Sequence, residues 1–295
     1  FFAHHINIVT IDGGLEKFIL RPYQKEQLKN LLESRYNIMN WARQLGKSTL
    51  ILSFIIWLIV FHPYKATLIV ANKAEVAQKL LEQLKLSYSE LPLWLQQGVI
   101  RWAEKSIKLE NGSSVKTAAT SKSSGRSGSY AFVLVDEAAH IDKNKFDDFY
   151  AAIFPTISAG KTSRICLVST VKGYNHFHRM WDAAINGRST FKPSRVIWSV
   201  IEERDEKWKQ EQISNSSPQE FAQEHECSFL GSSNSLISAE TIEWLGKNYK
   251  DPIFESDNKE LAIWEYPIRY NKDEEKSETK KNHFYVIGLD TSEGL

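Results

Sequence analysis

Trp41-Ala42-Arg43-Gln44-Leu45-Gly46-Lys47-Ser48 decides the fold of this chain, and Phe132-Val133-Leu134-Val135-Asp136-Glu137 completes the reading. The first stretch ends in Gly-Lys-Ser, the phosphate-cradling end of a P-loop. Measured against G-x-x-x-x-G-K-[ST], its first glycine position holds Trp41, so the loop is a deviant form. Its essentials are present. Gly46 lets the backbone approach a phosphate, Lys47 brings a positive charge to the β- and γ-phosphates, and Ser48 offers a hydroxyl to Mg²⁺. Gln44 and Thr49 flank this cradle, and the helix that follows adds its N-terminal dipole. The second stretch is an apolar strand that delivers two carboxylates at its end. Asp136 suits a Mg²⁺ ligand, and Glu137 suits the general base that polarises an attacking water. The pair of motifs implies a nucleoside triphosphatase with its Mg²⁺ ligand and general base in place.

Other residues join this core by chemistry alone. Arg43, inside the loop, either reaches the γ-phosphate as an arginine finger or forms a salt bridge at the surface, and the sequence leaves both readings open. Gln24, in Arg21-Pro22-Tyr23-Gln24, carries an amide that can pair with the adenine edge, and Tyr23 can pack on the base. The same tetrapeptide also reads as a helix start with proline at its first position. Ser169-Thr170 ends a strand, where a hydroxyl can sense the γ-phosphate. Gly125-Arg126-Ser127-Gly128 reads as a flexible loop. His4-His5 and His176-x-His178 lack partners at ligand spacing and read as non-ligands.

The surrounding sequence supplies the architecture. Strands are expected over 37–41, 66–71, 132–136 and 164–169. Helices are expected over 47–60, 73–86, 175–185 and 206–214, with another starting at Pro218. In the 73–86 helix Val76, Leu80 and Leu84 share one face. Asn111-Gly112 marks a hairpin between 106–110 and 113–118. Apolar strands alternating with helices indicate an α/β fold, a P-loop domain of the RecA-like kind with a mainly parallel sheet. The chain has 295 residues, is 42% hydrophobic and 25% charged, and carries a net charge of +1, so bulk electrostatics give no case for a nucleic-acid partner. Cys166 and Cys227 read as reduced thiols of a cytosolic protein. The apolar run over 54–61 is too short to span a bilayer. The expected division is an ATPase core over 1–195, a small subdomain over 196–270, a polar linker over 271–282, and the start of a further domain over 283–295, whose strand over 283–290 ends in Asp290. Both ends of the chain read as cut from something longer.

Taken together, Arg21-Pro22-Tyr23-Gln24, Ala42–Ser48, Val133–Ala139 and Ser169–Trp181 resemble the large terminase subunit of tailed bacteriophages. The likeness is greatest to the branch of the large contractile-tailed phages and extends over nearly the whole chain. Residues 226–238 resemble that branch's segment leading out of the ATPase domain, and Gly288–Gly294 the first strand of its RNase H-like nuclease. The resemblance implies a motor that hydrolyses ATP to drive double-stranded DNA into a procapsid. It implies a ring of copies at the portal vertex in the host cytoplasm, working with portal protein and small terminase subunit and without a membrane. It makes Arg43 the cis arginine finger, Glu137 the catalytic carboxylate, Gln24 the adenine reader and Ser169-Thr170 the coupling motif. Two departures stand out: Val171 occupies the place of a common proline, and Ile19 that of a second adenine-side glutamine. Asp290 is the one nuclease metal candidate present, so no DNA cleavage is expected of these residues. The competing readings are an Asp-Glu-box helicase or translocase, which needs a second RecA-like domain, and an inactive P-loop scaffold, which the intact Lys47, Ser48, Asp136 and Glu137 argue against.

Overall fold

A computed structural model of the chain describes residues 2–10, 13–126, 128–229, 254–255 and 262–263. Strands β1 (Asn7–Thr10) and β2 (Gly14–Lys17) pair antiparallel ahead of α1 (Pro22–Glu33). The P-loop strand β3 (Tyr36–Trp41) leads into α2 (Lys47–Phe61), followed by β4 (Ala66–Ala71) and α3 (Ala74–Ser89). A meander of β5 (Val99–Ala103), β6 (Ser106–Leu109) and β7 (Ser114–Ala119) precedes the short helix α4 (Lys122–Gly125). Then come β8 (Phe132–Val135), α5 (Lys143–Ala159), β9 (Arg164–Ser169), α6 (His176–Ile185) and β10 (Lys192–Val196). Helices α7 (Glu206–Asn215) and α8 (Pro218–Glu224) follow. These elements belong to one compact unit, Phe1–Glu243. In a second unit, Trp244–Leu295, β11 (Phe254–Glu255) pairs antiparallel with β12 (Ala262–Ile263). The expected linker, the strand over 283–290 and Asp290 lie outside the described residues.

Eight strands form one sheet in the order β10-β3-β9-β8-β4-β7-β6-β5, parallel from β10 to β7 and antiparallel through β6 and β5. The side-chain period of two divides the apolar residues between the faces. Met39, Trp41, Ile69, Phe132, Leu134, Cys166 and Val168 join one core cluster with α1, α2 and α3. Ile38, Leu68, Val70, Val133, Val135, Ile165 and Leu167 join the other with α5 and α6. Because both faces are covered, these strands read as unbroken apolar runs. Helix α2 buries Leu50, Ile51, Phe54, Ile55, Ile59 and more, consistent with its nearly all-round apolar sequence. Among the described residues no helix is long and apolar enough to cross a membrane.

Two local expectations are corrected, and α5 and β10 are additions to them. The buried face of α3 is Ala77, Leu80, Leu81, Leu84 and Tyr88, and Val76 is exposed, one position off the stripe. Of the expected loop over 125–128, Gly125 instead ends α4, which Ser121 caps, and it lies so close to the Phe149 carbonyl that a side chain would collide. Helix α5, not expected from the sequence, contains Pro155, but Phe146, Phe149, Ile153 and Ile157 form its buried stripe and Asp142 caps it. Strand β10 is equally unexpected, because Pro193 interrupts its sequence. It sits at the sheet edge, where a missing N–H is tolerated.

Candidate functional site at the carboxyl edge of the parallel sheet

Strand β9 lies between β3 and β8. The P-loop, Asp136-Glu137 and Ser169-Thr170 therefore all emerge beyond the carboxyl ends of adjacent parallel strands, the usual place for a ligand in an open α/β sheet. The position where the loop departs from the general pattern has a clear packing role. Trp41 is the last residue of β3, fully buried, and its indole Nε1 donates to Ser194 Oγ on β10 at 2.9 Å. A glycine there would remove a core side chain and this tie to the edge strand.

Past Trp41 the chain winds into the cradle with Gln44 at φ 58° and Gly46 at φ 73°. Tyr23 Oη and Gln24 Nε2 both donate to the Leu45 carbonyl, each at 3.2 Å. Gln24 Oε1 meanwhile accepts from the Arg21 amide at 3.0 Å. Both ends of the Gln24 amide are thus engaged in holding the loop, and the side chain is buried. A Cβ on Gly46 would stand 2.7 Å from Gln24 Nε2, so glycine is required for space as well as for φ. Lys47 opens α2 and is buried, with Ser48 and Thr49 half-buried behind it. Ile19 is exposed, on the solvent side of the segment leading to α1.

Lys47 Nζ lies 3.1 Å from Glu137 Oε1, bringing the two motifs together. Glu137 has φ 49°, uncommon for a residue with a side chain and a strain of about 1–3 kcal/mol. That turn aims its carboxylate across the strand ends. Burial pushes the Glu137 carboxyl up, but the Lys47 ammonium, with His140 and a backbone bond from Thr170, outweighs it and holds the group below its ordinary value. Ser169 Oγ donates to Glu137 Oε2 at 3.4 Å and accepts from the Ala139 amide at 3.1 Å. Thr170 Oγ1 is 3.2 Å from His140 Nε2. Val171 is fully buried.

Asp136 differs from its neighbour. Its Oδ1 is buried with no hydrogen-bond partner. Burial, and then the Glu137 charge, push its pKa up to about 7 against the pull of Lys47. A buried carboxylate with one oxygen left unpaired, following β8, which only β9 separates from the P-loop strand β3, fits a divalent cation, whose charge would reverse this shift.

Arg43 stands at the mouth, exposed, with its amide donating to the Glu224 carbonyl at 2.8 Å and its Nε 3.6 Å from Glu224 Oε2. Arg204 stacks over Trp208 at 4.8 Å and reaches the Arg43 carbonyl at 3.4 Å and Gln44 Oε1 at 3.5 Å. An open cleft of about 330 Å³ is lined by Arg43, Asn72, Lys73, Glu137, His140, Thr170 and Glu224. The structure therefore brings Arg43, Glu137 and Thr170 to the cleft, with Lys47 and Ser169 held on Glu137, Asp136 beside it in the chain, and Tyr23 and Gln24 behind the loop. Sequence reasoning missed His140, Arg204 and Glu224. His140 carried a signal, three residues past Glu137. Arg204 and Glu224 carried none, because only the packing of α7 and α8 brings them to the loop.

Residues 38–244 match a family profile described as terminase large subunit, T4likevirus-type, N-terminal. Among solved structures, an ATPase-domain mutant of the Thermus phage P74-26 large terminase superposes with a TM-score of 0.62 at 19% identity, covering 72% of this chain and 95% of that one. The HK97 bacteriophage large terminase gives 0.62 at 19% identity, covering 85% of this chain and 58% of its own length. The large terminase of a further thermophilic bacteriophage, in complex with ADP, gives 0.57 at 10% identity, over 72% of this chain and 54% of that one. At these identities the structures establish the fold.

Proposed function

Because the chain belongs to the terminase large subunit family, with the match running over its N-terminal type of domain, we propose that it is the ATP-hydrolysing motor part of a phage DNA-packaging machine. The observation that carries this reading is the 3.1 Å approach of Lys47 to Glu137, which joins a phosphate cradle and a carboxylate base across one cleft. In the proposed mechanism Lys47 and the backbone around Gly46 bind the β- and γ-phosphates, with Gln44 and Thr49 flanking them. Ser48 and Asp136 hold Mg²⁺, which when bound offsets negative charge on the phosphate oxygens. Lys47 then leaves Glu137 for the phosphate. The freed Glu137 carboxylate takes the proton from the attacking water. Arg43 swings from Glu224 to the γ-phosphate and stabilises its developing charge. Ser169 and Thr170, bonded to the Glu137 turn, register the loss of that phosphate. Adenine contact by Tyr23 and Gln24 is part of the proposal, and for Gln24 it requires release of the Leu45 carbonyl.

Double-stranded DNA, portal protein, the small terminase subunit and further copies of the chain are the proposed partners, at the portal vertex in the host cytoplasm. The division into an ATPase core over 1–195 and a subdomain over 196–270 belongs to the same proposal, as does a nuclease start at 283–295. ATP turnover is measured with Mg²⁺, with and without linear double-stranded DNA and portal. The expected result is basal hydrolysis that rises with DNA and portal. A preparation that binds ATP and never turns it over under any of these conditions overturns the motor reading.

A further inference from the structure

His140 is the last residue of the 3₁₀ turn Ala138–His140 that follows Glu137. The turn is tied on its inner side. Ser169 Oγ accepts from the Ala139 amide at 3.1 Å, Asn175 Nδ2 donates to the Ala139 carbonyl at 2.8 Å, and His176 Nε2 meets the Ala138 carbonyl at 2.8 Å. Ala138 and Ala139 are buried, whereas the His140 side chain is 30% exposed and lines the cleft. Its Nε2 lies 3.2 Å from Thr170 Oγ1 and 3.8 Å from Glu137 Oε2. One ring nitrogen thus faces both the proposed base and the proposed coupling residue.

We propose that His140 is a positioning residue whose single Nε2–H is shared between Glu137 and Thr170, so that it orients the base and ties that orientation to the coupling segment. This inference rests on the proposed role of Glu137. The tautomer follows from electrostatics: a lone pair on Nε2 would face the Glu137 carboxylate and be repelled, whereas an N–H is attracted. Burial lowers the imidazole's pKa, against the pull of Glu137, so the ring is neutral at neutral pH and carries one proton on Nε2 rather than a second on Nδ1. One donor cannot serve two acceptors fully. Bonded to Thr170, as its shorter distance indicates, it leaves Glu137 Oε2 to Ser169 and to a substrate water. Moved to Glu137, it releases Thr170 and, through it, the segment leading to α6.

The test is steady-state ATP hydrolysis by the whole chain for the wild type, His140→Ala, His140→Gln, Thr170→Val and the His140→Ala/Thr170→Val pair. His140→Ala should lower kcat about 10- to 100-fold, the scale of a misplaced reacting group, with KM within about two-fold. His140→Gln, whose amide restores a donor at the same reach, should recover most of that loss. The paired variant should be no slower than the worse single, because the two residues form one link. Unchanged kcat in His140→Ala, a loss confined to KM, or additive losses in the pair each overturn the proposal. If His140→Ala does not fold, as judged by thermal unfolding, the comparison of His140→Gln with Thr170→Val decides: near-wild-type turnover for the former and a kcat loss for the latter is required. Glu137→Gln is run in parallel. If it retains full activity, the base assignment has failed; if it loses activity while His140→Ala does not, only the present inference has failed.

Discussion

At the residue scale the strongest constraints fall on Gly46, Glu137 and Arg43. Gly46 is held at φ 73° with Gln24 Nε2 occupying the space beside it. Gly46→Ala should therefore lower stability by about 1–2 kcal/mol from the left-handed backbone alone and more from displacing Gln24, read as a fall in the denaturant midpoint. Glu137→Gln should leave ATP binding intact and slow turnover by at least ~10²-fold, the usual cost of losing a general base. Equal turnover in mutant and wild type would remove Glu137 from the chemistry. Arg43 is exposed and its Nε stands 3.6 Å from Glu224 Oε2 with no hydrogen bond to it, so the arginine can turn to the γ-phosphate for the loss of one loose ion pair. Arg43→Ala should cut hydrolysis by roughly 10³-fold, and Arg43→Lys should not restore it, since an ammonium lacks the guanidinium fork. Full activity with lysine would return Arg43 to a surface role.

Elements divide by how much of their identity is local. Helix α2 is specified twice over, by the P-loop at its start and by an apolar run that must be buried. Ile55 is fully buried at its centre, and Ile55→Ala should cost about 2–5 kcal/mol, measured by chemical unfolding. Helix α5 is the opposite case. Pro155 and the polar start Lys143-Asn144-Lys145 obscure it, yet the stripe from Phe146 to Ile157 has helical spacing once the opposing sheet face is known. Its Phe146 stacks on His176 at 4.3 Å, which carries the order of α5 to the start of α6.

Across the whole molecule, stability should depend on pH through histidines held neutral by packing. His176 is buried, with Nε2 on the Ala138 carbonyl and Nδ1 without a partner. Burial lowers its pKa from 6.5, although the Ala138 carbonyl and Asp147 pull the other way. Between the unfolded value of 6.5 and the lower folded value the unfolded chain binds the extra proton. Its contribution to stability is thus present above about pH 6.5 and is lost as pH falls through the folded pKa. His140, His178 and His225 are shifted the same way, also by burial first. Asp136, raised to about 7, acts in the opposite sense over the same range, so the histidine contribution is read by difference: as pH falls below about 6.5 the wild type should lose more unfolding free energy than His176→Gln. An identical slope in the variant would show that His176 does not contribute.

The sequence by itself determined the P-loop class, the parallel sheet, the order of its core strands along the chain and the identity of the family. These rest on short-range patterns: Gly-Lys-Ser at a helix start, Asp-Glu at a strand end, apolar runs of strand length. Tertiary structure alone decided the rest. Trp41 could be read only as a departure from a pattern until β10 appeared beside β3 to receive its indole. Gln24 looked free to read a base until the Leu45 carbonyl was found on its amide. Arg204 and Glu224 lie far along the chain from Arg43, and nothing in their local sequence points to the loop they hold. A side chain's partner across the fold is fixed by how the layers pack, and packing is a property of all the elements at once.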